Sequence, residues 1–441
     1  MLVLVQGLYA QYVVSGGEGT PFLYEENQTN KNLEVYLLNG MSGAEIRYTS
    51  LKNTSHQWYR YRISASGDDA VAISCEQDGR TSWIIPEDGY GYYVKNDDSQ
   101  NTSQKYVWII DYNLYKIDFQ SISFNNPESS CDFLSLKFNM DIPIMTYNLP
   151  TGGRKEIDRI FSLEYTTLEF DSISASFVPI PINLELRNPS DGYDITPPPY
   201  GNTIFTLTGD QFASHFGIEQ KMESEEYVAM AVKAAAIVET ETRDNDNEET
   251  VSVQGYGGSA PVDMTFKGYG NDPVAVLYIW KIYNKEDGAD NPLVRFLSEE
   301  VNYTFEHFGN FVAQLEVSNA DGTCVDSVSF DITITESSLK IPNAFSPGTT
   351  PGQNDEFKVI YKSIIKFKGV IFNRWGVKVF DWNSPEQGWN GKFNGKYVPP
   401  GVYYYIIEAE GADGIKYNRQ GDINVLRPKD INDTLPGDLN E

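Results

Sequence analysis

Histidine and cysteine are scarce in this chain, which contains three of each among its 441 residues. None of His56, His215 and His307 has another histidine or a cysteine at a spacing typical of zinc ligands. This scarcity argues against a zinc site and against catalysis centred on histidine or cysteine. We therefore expect no metal and no cofactor.

Basic residues are also few. Lysine and arginine number 34 against 62 aspartates and glutamates, which gives a net charge of −28 at pH 7. Phosphate binding needs clustered lysine and arginine, so the balance argues against nucleic acid and against an anionic membrane surface as partners. Long apolar runs are missing too, because no stretch approaches the roughly 18 apolar residues of a membrane-spanning helix. We expect no integral membrane span.

The cysteines are odd in number and far apart, at Cys75, Cys131 and Cys324. Two interpretations stay open. All three are small buried apolar residues, or Cys75 and Cys131 form a disulfide in an oxidising compartment.

Aromatic and turn-forming residues are, by contrast, abundant. Aromatic residues make up 13% of the chain and hydrophobic residues 40%, alongside 36 glycines and 22 prolines. So much apolar surface excludes general disorder. Short β-branched and aromatic runs alternate with Gly-, Asn- and Asp-rich stretches, which predicts strands and turns. The predicted fold class is all-β, with tandem Ig-like β-sandwich domains followed by a small antiparallel β-sandwich.

The chain divides into six predicted ranges. Residues 1–10 resemble the rear part of a secretory signal peptide ending at Ala10, the alternative being an ordinary first strand. The ranges that follow are two β-sandwich domains at 11–138 and 139–250, an Ig-like domain at 251–337, a C-terminal domain at 338–428 and an acidic tail at 429–441. Within them, the alternation in residues 225–242 predicts a strand, although their alanine content favours a helix, and residues 243–250 are predicted as a solvated charged turn or linker.

Residues 301–334 carry a turn, a long alternating strand, a second turn and a final strand. This pattern resembles the second half of a PKD-type domain, which is an Ig-like β-sandwich. The matching residues are Tyr303, Phe305, Gly309, Phe311, Leu315, Val317, Asn319, Gly322 and Asp326. The Gly-Asp-Gly turn of that family is absent after Trp280.

A dense composite motif of Asn, Gly, Pro and aromatic residues fills residues 339–427. Its members are Pro342, Asn343, Phe345, Ser346, Pro347, Asn354, Asp355, Phe357, Phe372, Asn373, Arg374, Trp375, Gly376, Trp389, Gly391, Gly395, Pro400, Gly401, Tyr403, Gly421 and Arg427. The motif closely resembles the gliding-motility-associated C-terminal domain, the type B sorting signal of the type IX secretion system of Bacteroidota. Residues 348–353 lack the carboxylate that this family usually has there, so no calcium site is expected.

The resemblance implies a cellular location and binding partners. It implies export through the periplasm to the cell surface, associated with the outer membrane, or into the medium. It also implies binding to the type IX translocon and to outer-membrane shuttle proteins, with a stable outer-membrane protein complex as a further option. Residues 339–428 hold 12 basic and 8 acidic residues in an otherwise acidic chain, which fits docking on an acidic partner. Chance variation of surface charge is the alternative.

Two sets of residues carry narrower hypotheses. Core packing alone does not explain an Asn-Arg pair beside Trp375, so we expect Arg374 to make a recognition or structural contact with oxygen atoms. Three Asp-Ser/Thr-apolar triplets resemble the O-glycosylation sequon of the same bacteria, and they place candidate acceptors at Ser172, Ser327 and Thr434.

Three classes of function stay open. The first is a non-enzymatic surface interaction or adhesion protein, and the second is a retained part of the secretion or gliding machinery. The third is a surface glycan-binding or glycan-degrading protein, which rests on Trp58, Trp83, Tyr90, Tyr92 and Tyr93. Aromatic residues of β-sandwiches more often form the core. No recognisable catalytic motif occurs, so we expect no enzyme.

Overall fold

The computed structural model describes residues 11–24, 32–96, 104–124, 131–349 and 352–427. Within these ranges the chain forms two compact units. The first unit is drawn from residues 1–167 and 179–229, and the second from residues 168–178 and 230–441. Each unit is built from β-sheets, which confirms the predicted all-β fold class.

The N-terminal part of the first unit is a β-sandwich. Its strands are β1 (Gln11–Ser15), β2 (Phe22–Tyr24), β3 (Leu33–Leu38), β4 (Glu45–Thr49), β5 (Gln57–Tyr61), β6 (Val71–Ile73), β7 (Glu76–Asp78), β8 (Thr81–Ile84), β9 (Tyr90–Lys95) and β10 (Tyr106–Asp111). One sheet has the order β1-β4-β8-β7 and the other the order β2-β3-β10-β9-β5-β6. The β3–β10 pair is parallel, and the neighbouring pairs are antiparallel.

Alternation along the strands decides what this sandwich buries. In β4, Ile46 and Tyr48 are buried, whereas Arg47 between them points away from the core. The buried side chains of both sheets meet around Trp58, as expected for two packed sheets. His56 is buried there as well, with its ring nitrogens 2.7 Å from Ser82 Oγ and 2.9 Å from Ser50 Oγ, so it is a structural residue.

The rest of the first unit contains further sheets and the α-helix of the described part of the chain. The elements are β11 (Asp118–Phe124), β12 (Leu134–Asp141), β13 (Thr146–Asn148), β14 (Arg154–Glu156), β15 (Ile160–Asp171), β16 (Ser176–Arg187), β17 (Tyr193–Ile195), β18 (Thr206–Gly209), α1 (Gln211–Phe216) and β19 (Gln220–Glu223). The sheet orders are β11-β12-β17, β13-β14 and β16-β15-β18-β19. The tip of the β15–β16 hairpin, residues 168–178, belongs to the second unit.

Helix α1 is not among the elements that the sequence pattern predicts. Its N-cap is Asp210, whose carboxylate accepts a hydrogen bond from the Ala213 N–H at 2.9 Å, and Gly217 ends it in the left-handed conformation. Asp210 also forms a buried ion pair with Arg159 and accepts a hydrogen bond from the Tyr112 hydroxyl at 2.8 Å. An Asp before an apolar turn that closes on Gly is the signal that predicts such a helix.

The second unit begins with an Ig-like sandwich. Its strands are β20 (Ala234–Thr240), β21 (Tyr256–Gly258), β22 (Val262–Gly270), β23 (Leu277–Asn284), β24 (Val294–Phe296), β25 (Glu300–Phe305), β26 (Gly309–Ser318) and β27 (Val325–Ile334). They form sheets of order β20-β22-β25 and β21-β27-β26-β23-β24. Phe266 of one sheet and Trp280 of the other are fully buried, with ring centroids 5.3 Å apart. They join the two sheets in one core.

The C-terminal module, residues 338–427, completes this unit. Its strands are β28 (Ser338–Lys340), β29 (Ala344–Phe345), β30 (Ile360–Lys362), β31 (Ile364–Phe372), β32 (Lys378–Trp382), β33 (Lys392–Phe393), β34 (Lys396–Tyr397), β35 (Gly401–Gly411) and β36 (Lys416–Val425). The main sheet has the order β29-β36-β35-β31-β32, and β28-β30 and β33-β34 form small sheets beside it. One aromatic-rich core lies inside the module.

Two local predictions need correction. The strand predicted at 225–242 is confined to β20, since before it only Tyr227 forms an isolated bridge, to Thr203, and Val228 is exposed. The segment at 243–250 does turn, but it is not a free solvated linker, because Asn247 is buried.

The six predicted domain ranges stay predictions. The sheet pairings show which strands are hydrogen-bonded to each other, but they do not show which residue range would fold independently. Two strands lie at or across the predicted boundaries. β12 runs across the boundary at residue 138, and β20, which precedes the boundary at residue 250, pairs along its whole length with β22, which follows that boundary.

The cysteines follow neither interpretation offered from the sequence. Cys75 is a free thiol, so the Cys75–Cys131 disulfide is wrong. Cys131 and Cys324 are each in the disulfide-bonded state, so neither is merely a small buried apolar residue. Disulfides are typical of proteins that fold outside the reducing cytoplasm. Among the described residues no helix has the length and hydropathy needed to cross a membrane.

Candidate functional site

The C-terminal module is built around the indole of Trp389. This ring is fully buried, lies 5.3 Å from the Phe345 ring and 5.4 Å from the Tyr403 ring, and donates its Nε1–H to the Lys392 carbonyl at 3.0 Å. Tyr403 in turn donates its hydroxyl to the Pro399 carbonyl at 3.0 Å. These motif residues hold the core together by packing and by satisfied polar groups.

Asp355 organises the loop that follows Phe345. Its carboxylate accepts hydrogen bonds from the backbone N–H groups of Gly348 at 3.1 Å and Gly352 at 2.6 Å. The loop also packs against Gly391, where an added Cβ would lie 2.6 Å from the Cγ of Pro347. Asp355 and Pro347 are therefore structural parts of the motif.

The motif is densest at the turn between β31 and β32. Asn373 is 2% exposed, and its Oδ1 accepts hydrogen bonds from the N–H groups of Trp375 at 3.0 Å and Val377 at 2.9 Å. Gly376 takes a φ of +81°, and its N–H donates to the Asn373 carbonyl at 3.0 Å. Phe372 lies half-buried where β31 enters the turn. Turn formation thus explains Asn373 and Gly376.

Arg374 and Trp375 are different, because both point outward from this turn. Trp375 is 42% exposed, and the Arg374 guanidinium lies over its ring, with Cζ 3.9 Å from the centroid. Cation–π stacking fixes the orientation of both side chains. Neither residue is needed to fill the core, so together they form an oriented, solvent-facing pair, which we call the Arg374–Trp375 pair.

The other motif residues lie in turns, at strand ends or under aromatic rings. Arg427 donates Nη1–H to the Val398 carbonyl at 3.2 Å and covers the Tyr397 ring. Asn343 accepts from the Asn424 N–H at 2.9 Å through its carbonyl. Phe357 is buried in the core. Pro342, Ser346, Asn354, Gly395, Pro400 and Gly401 lie in loops or at strand ends, and Gly421 lies beneath the Tyr405 ring. Most of the motif therefore serves the fold of the module.

Residues 339–425 match the CHU_C Type IX secretion signal domain. The chain carries a type IX sorting domain. Export to the cell surface or the medium, through the type IX machinery, follows from the presence of this sorting domain. The sorting domain coincides with the C-terminal module, so the Arg374–Trp375 pair is part of its surface.

Other comparisons concern the remaining β-sandwiches. Residues 123–224 match a Fibronectin type III domain, Fn3_FA. A tetra-tandem repeat in the extending region of a large adhesion protein is 10% identical, with a TM-score of 0.22, covering 89% of this chain and 99% of that one. Immunoglobulin domains 1–5 of Sidekick-1 are 11% identical, with a TM-score of 0.24, covering 92% of this chain and 81% of that one. The search of curated proteins finds no match.

A second candidate site lies on the outer face of the β1-β4-β8-β7 sheet. Trp83 of β8 stands between its cross-strand neighbours Arg47 of β4 and Glu76 of β7. Its neighbours Ser82 and Ile84 along β8 are buried, so Trp83 points away from the core. The Arg47 guanidinium lies 5.2 Å from the Trp83 ring centroid and is ion-paired with Glu45.

An open cleft of about 440 Å³ begins at this indole. Its walls include Trp83, the 83% exposed Ile85 and the carboxylates of Glu45, Glu76 and Glu87. Arg60, which also lines the cleft, pairs with Glu87 and lies over the Tyr90 ring. Burial raises the pKa of Tyr92, which also lines the cleft, to about 12. An apolar aromatic surface thus stands beside several hydrogen-bond acceptors.

The five aromatic residues of the carbohydrate-binding interpretation separate into two groups. Trp58, Tyr92 and Tyr93 are buried, so core packing explains them. Trp83 and Tyr90 are half-buried, and each carries an arginine on its ring. Within the described residues, no group of three or more His, Cys, Asp or Glu side chains is placed to hold a metal ion.

The candidate glycosylation sites differ in setting. Ser172 is exposed at the β15–β16 turn, where Asp171 accepts hydrogen bonds from the backbone of Ile173 and from Ser174. Ser327 is exposed in β27, beside Asp326, which accepts from the Ala234 N–H at 2.9 Å. Thr434 lies outside the described residues. The exposed hydroxyls of Ser172 and Ser327 stay predicted acceptors.

Proposed function

We propose that this chain is a non-enzymatic protein that the type IX secretion system delivers to the cell surface, where it acts in surface interaction or adhesion. The sorting domain at 339–425 supports the delivery. The outward-facing Trp83 beside an open cleft supports the interaction, because monomeric β-sandwiches usually bury their large aromatic rings. In this proposal the sorting domain contacts the translocon and outer-membrane shuttle proteins through the Arg374–Trp375 pair.

Deletion tests the delivery. A chain lacking residues 339–441, expressed in a Bacteroidota host with its export leader, is expected to stay in the periplasm, while the full chain reaches the surface. Surface labelling of intact cells measures the difference. Arrival of the truncated chain at the surface at the full-length level would overturn the proposal.

Glycan binding is the second candidate, and the chemistry of the cleft favours it. An indole face stacks on the apolar face of a sugar ring, while Glu45, Glu76 and Glu87 offer oxygens to its hydroxyl groups. The test is calorimetric titration of the purified full chain with soluble polysaccharides. Trp83→Ala removes the indole, and Trp375→Ala is the matched control because it removes an exposed indole elsewhere.

The outcomes separate the function classes. Binding that Trp83→Ala abolishes and Trp375→Ala preserves supports the glycan site. Polysaccharide turnover would instead support an enzyme. A stoichiometric complex with an outer-membrane protein, purified from detergent-solubilised membranes, would support a retained component of the secretion or gliding machinery.

A further inference from the structure

Residues 243–249 lie against the sorting domain, although in sequence they precede the whole β21–β27 part of the Ig-like sandwich. We call this segment the clasp. Its sequence is Arg-Asp-Asn-Asp-Asn-Glu-Glu, and the strand it reaches is β30. The clasp and β30 are more than 100 residues apart, and their contact is a tertiary contact within the second unit.

The backbone of the clasp pairs with β30 as an added strand. Glu248 and Tyr361 form a parallel bridge. The Tyr361 N–H donates to the Asn247 carbonyl at 3.1 Å, and the Glu249 N–H donates to the Tyr361 carbonyl at 2.8 Å. Because β30 pairs with β28 on its other side, the clasp completes the edge of this small sheet.

Asn247 anchors the clasp. It is 7% exposed, and its Nδ2 donates to the Val359 carbonyl at 2.8 Å and to the Pro385 carbonyl at 2.7 Å. Both carbonyls belong to the sorting domain. An asparagine that donates to two carbonyls of the sorting domain positions the segment more tightly than a solvated turn would.

Charge complementarity surrounds this anchor. The Lys358 ammonium donates to Asp246 Oδ1 at 2.9 Å, and Glu249 pairs with Lys340. The Ser338 hydroxyl donates to Glu249 Oε2 at 2.6 Å. The acidic clasp thus neutralises lysines of the basic sorting domain.

A further set of contacts, which we call the seam, also holds the sorting domain. The Ser363 N–H donates to Ser259 Oγ at 2.7 Å, and the Ala260 N–H donates to Ser363 Oγ at 3.1 Å. The Phe308 N–H donates to the Ala412 carbonyl at 3.0 Å. Clasp and seam together contact the sorting domain at several separate points in addition to the covalent connection.

We propose that the clasp locks the sorting domain onto the Ig-like sandwich, so that the domain remains bound to the protein even when the connecting chain is cut. The surface formed by Lys340, Lys358 and Tyr361 is then an interaction surface whose partner is the chain's own acidic segment. The sorting domain is a permanent structural part of the exported protein and not a separable tag. This inference concerns retention and is independent of what the N-terminal cleft binds.

The test cuts the connection in the purified full chain. A protease recognition site inserted after the exposed Glu336 allows cleavage between β27 and β28. After cleavage the two fragments are expected to elute together in native size-exclusion chromatography. Fragments that separate at micromolar concentration would overturn the proposal.

Variants tie the result to the clasp. In the cleaved protein, Asn247→Ala removes two hydrogen bonds, which is expected to weaken fragment association about tenfold or more. Glu249→Gln is the milder variant, since it removes only a charge. It is also expected to weaken fragment association, so it tests the clasp even if Asn247→Ala misfolds. Glu241→Lys, at an exposed acidic residue outside the clasp, is the control and should associate like the unmodified chain. Equal association of all four cleaved proteins would also overturn the proposal.

Discussion

At the residue scale, the sorting motif separates into residues that fold the domain and residues that face outward. Asn373 and Gly376 build the β31–β32 turn, and Trp389 with Tyr403 fills the core. The Arg374–Trp375 pair does neither, which is why it is the candidate contact for the secretion machinery.

Gly391→Ala should lower stability more than Gly376→Ala. Both glycines have positive φ, so each alanine costs on the order of 1–2 kcal/mol of backbone strain. Only at Gly391 would the new Cβ also meet Pro347, at 2.6 Å, whereas nothing lies within 4 Å at Gly376. Urea denaturation of the two variants measures the difference. Equal losses in the free energy of unfolding would show that the loop carrying Pro347 moves away from the new Cβ without a loss of stability.

Arg374→Lys should impair export without unfolding the domain. The side chain is exposed, and stacking of this kind at a surface contributes about 0.5–1 kcal/mol, part of which a lysine retains. A lysine cannot reproduce the planar fork that binds oxygen pairs. Arg419→Lys is the matched control, since Arg419 is an exposed arginine over the Tyr417 ring of the same domain. If both variants are secreted equally, the Arg374–Trp375 pair is not a recognition contact.

At the scale of elements, periodicity predicts strands well and their partners poorly. Alternation in β26 was readable from the sequence, and the strand forms as predicted. The clasp has no periodicity, and its role depends on Tyr361, on the carbonyls near it and on the lysines that pair with its carboxylates. The charged composition of the clasp predicts a solvent-exposed segment. In the structure, neighbouring lysines and carbonyls take the place of water as its hydrogen-bonding partners.

The clasp should weaken in acid. Hydrogen bonds from Lys340 and Ser338 hold the pKa of Glu249 below its usual range. A lowered folded-state pKa means that this stabilisation is present above about pH 4.3, the ordinary value, and is lost as pH falls through the folded-state pKa. The melting temperature of Glu249→Gln should therefore lie below that of the unmodified chain at pH 7, and the gap should close in acid.

The control for this pH dependence is Glu336→Gln, at an exposed carboxylate outside the clasp. Its melting temperature should follow that of the unmodified chain throughout. On the alkaline side, hydrogen bonding to Asp246 raises the pKa of Lys358, so that pair persists until pH rises through the raised value. A gap for Glu249→Gln that is independent of pH would contradict the assigned role of its carboxylate.

At the scale of the whole molecule, the chain is a series of β-sandwiches with an export address. The sorting domain gives the destination, and the disulfide-bonded Cys131 and Cys324 fit folding in an oxidising compartment. The free Cys75 lines the N-terminal cleft.

Thiol labelling checks this cysteine assignment. The unfolded, unreduced chain should take up one equivalent of a maleimide and the reduced chain three. In the native protein the reaction should be slow and should accelerate with pH, because burial raises the pKa of the Cys75 thiol. Cys75→Ser should abolish labelling before reduction. Uptake of three equivalents without reduction would contradict the disulfide-bonded state of Cys131 and Cys324.

The sequence by itself determined the all-β class and the sorting domain. These depend on local pattern: alternation along strands, turn glycines at fixed offsets, and composition. The turn formed by Asn373 and Gly376 is readable in the same way, since these two residues bond within a few positions of themselves.

Only the tertiary structure decided which distant groups meet. It showed Asn247 against the carbonyls of Val359 and Pro385, and Trp83 facing a cleft where Trp58 faces the core. Such contacts join residues far apart in sequence, and their energy depends on the geometry of both partners at once. A one-dimensional pattern records each partner's polarity and period, but not the position at which the fold brings the two together.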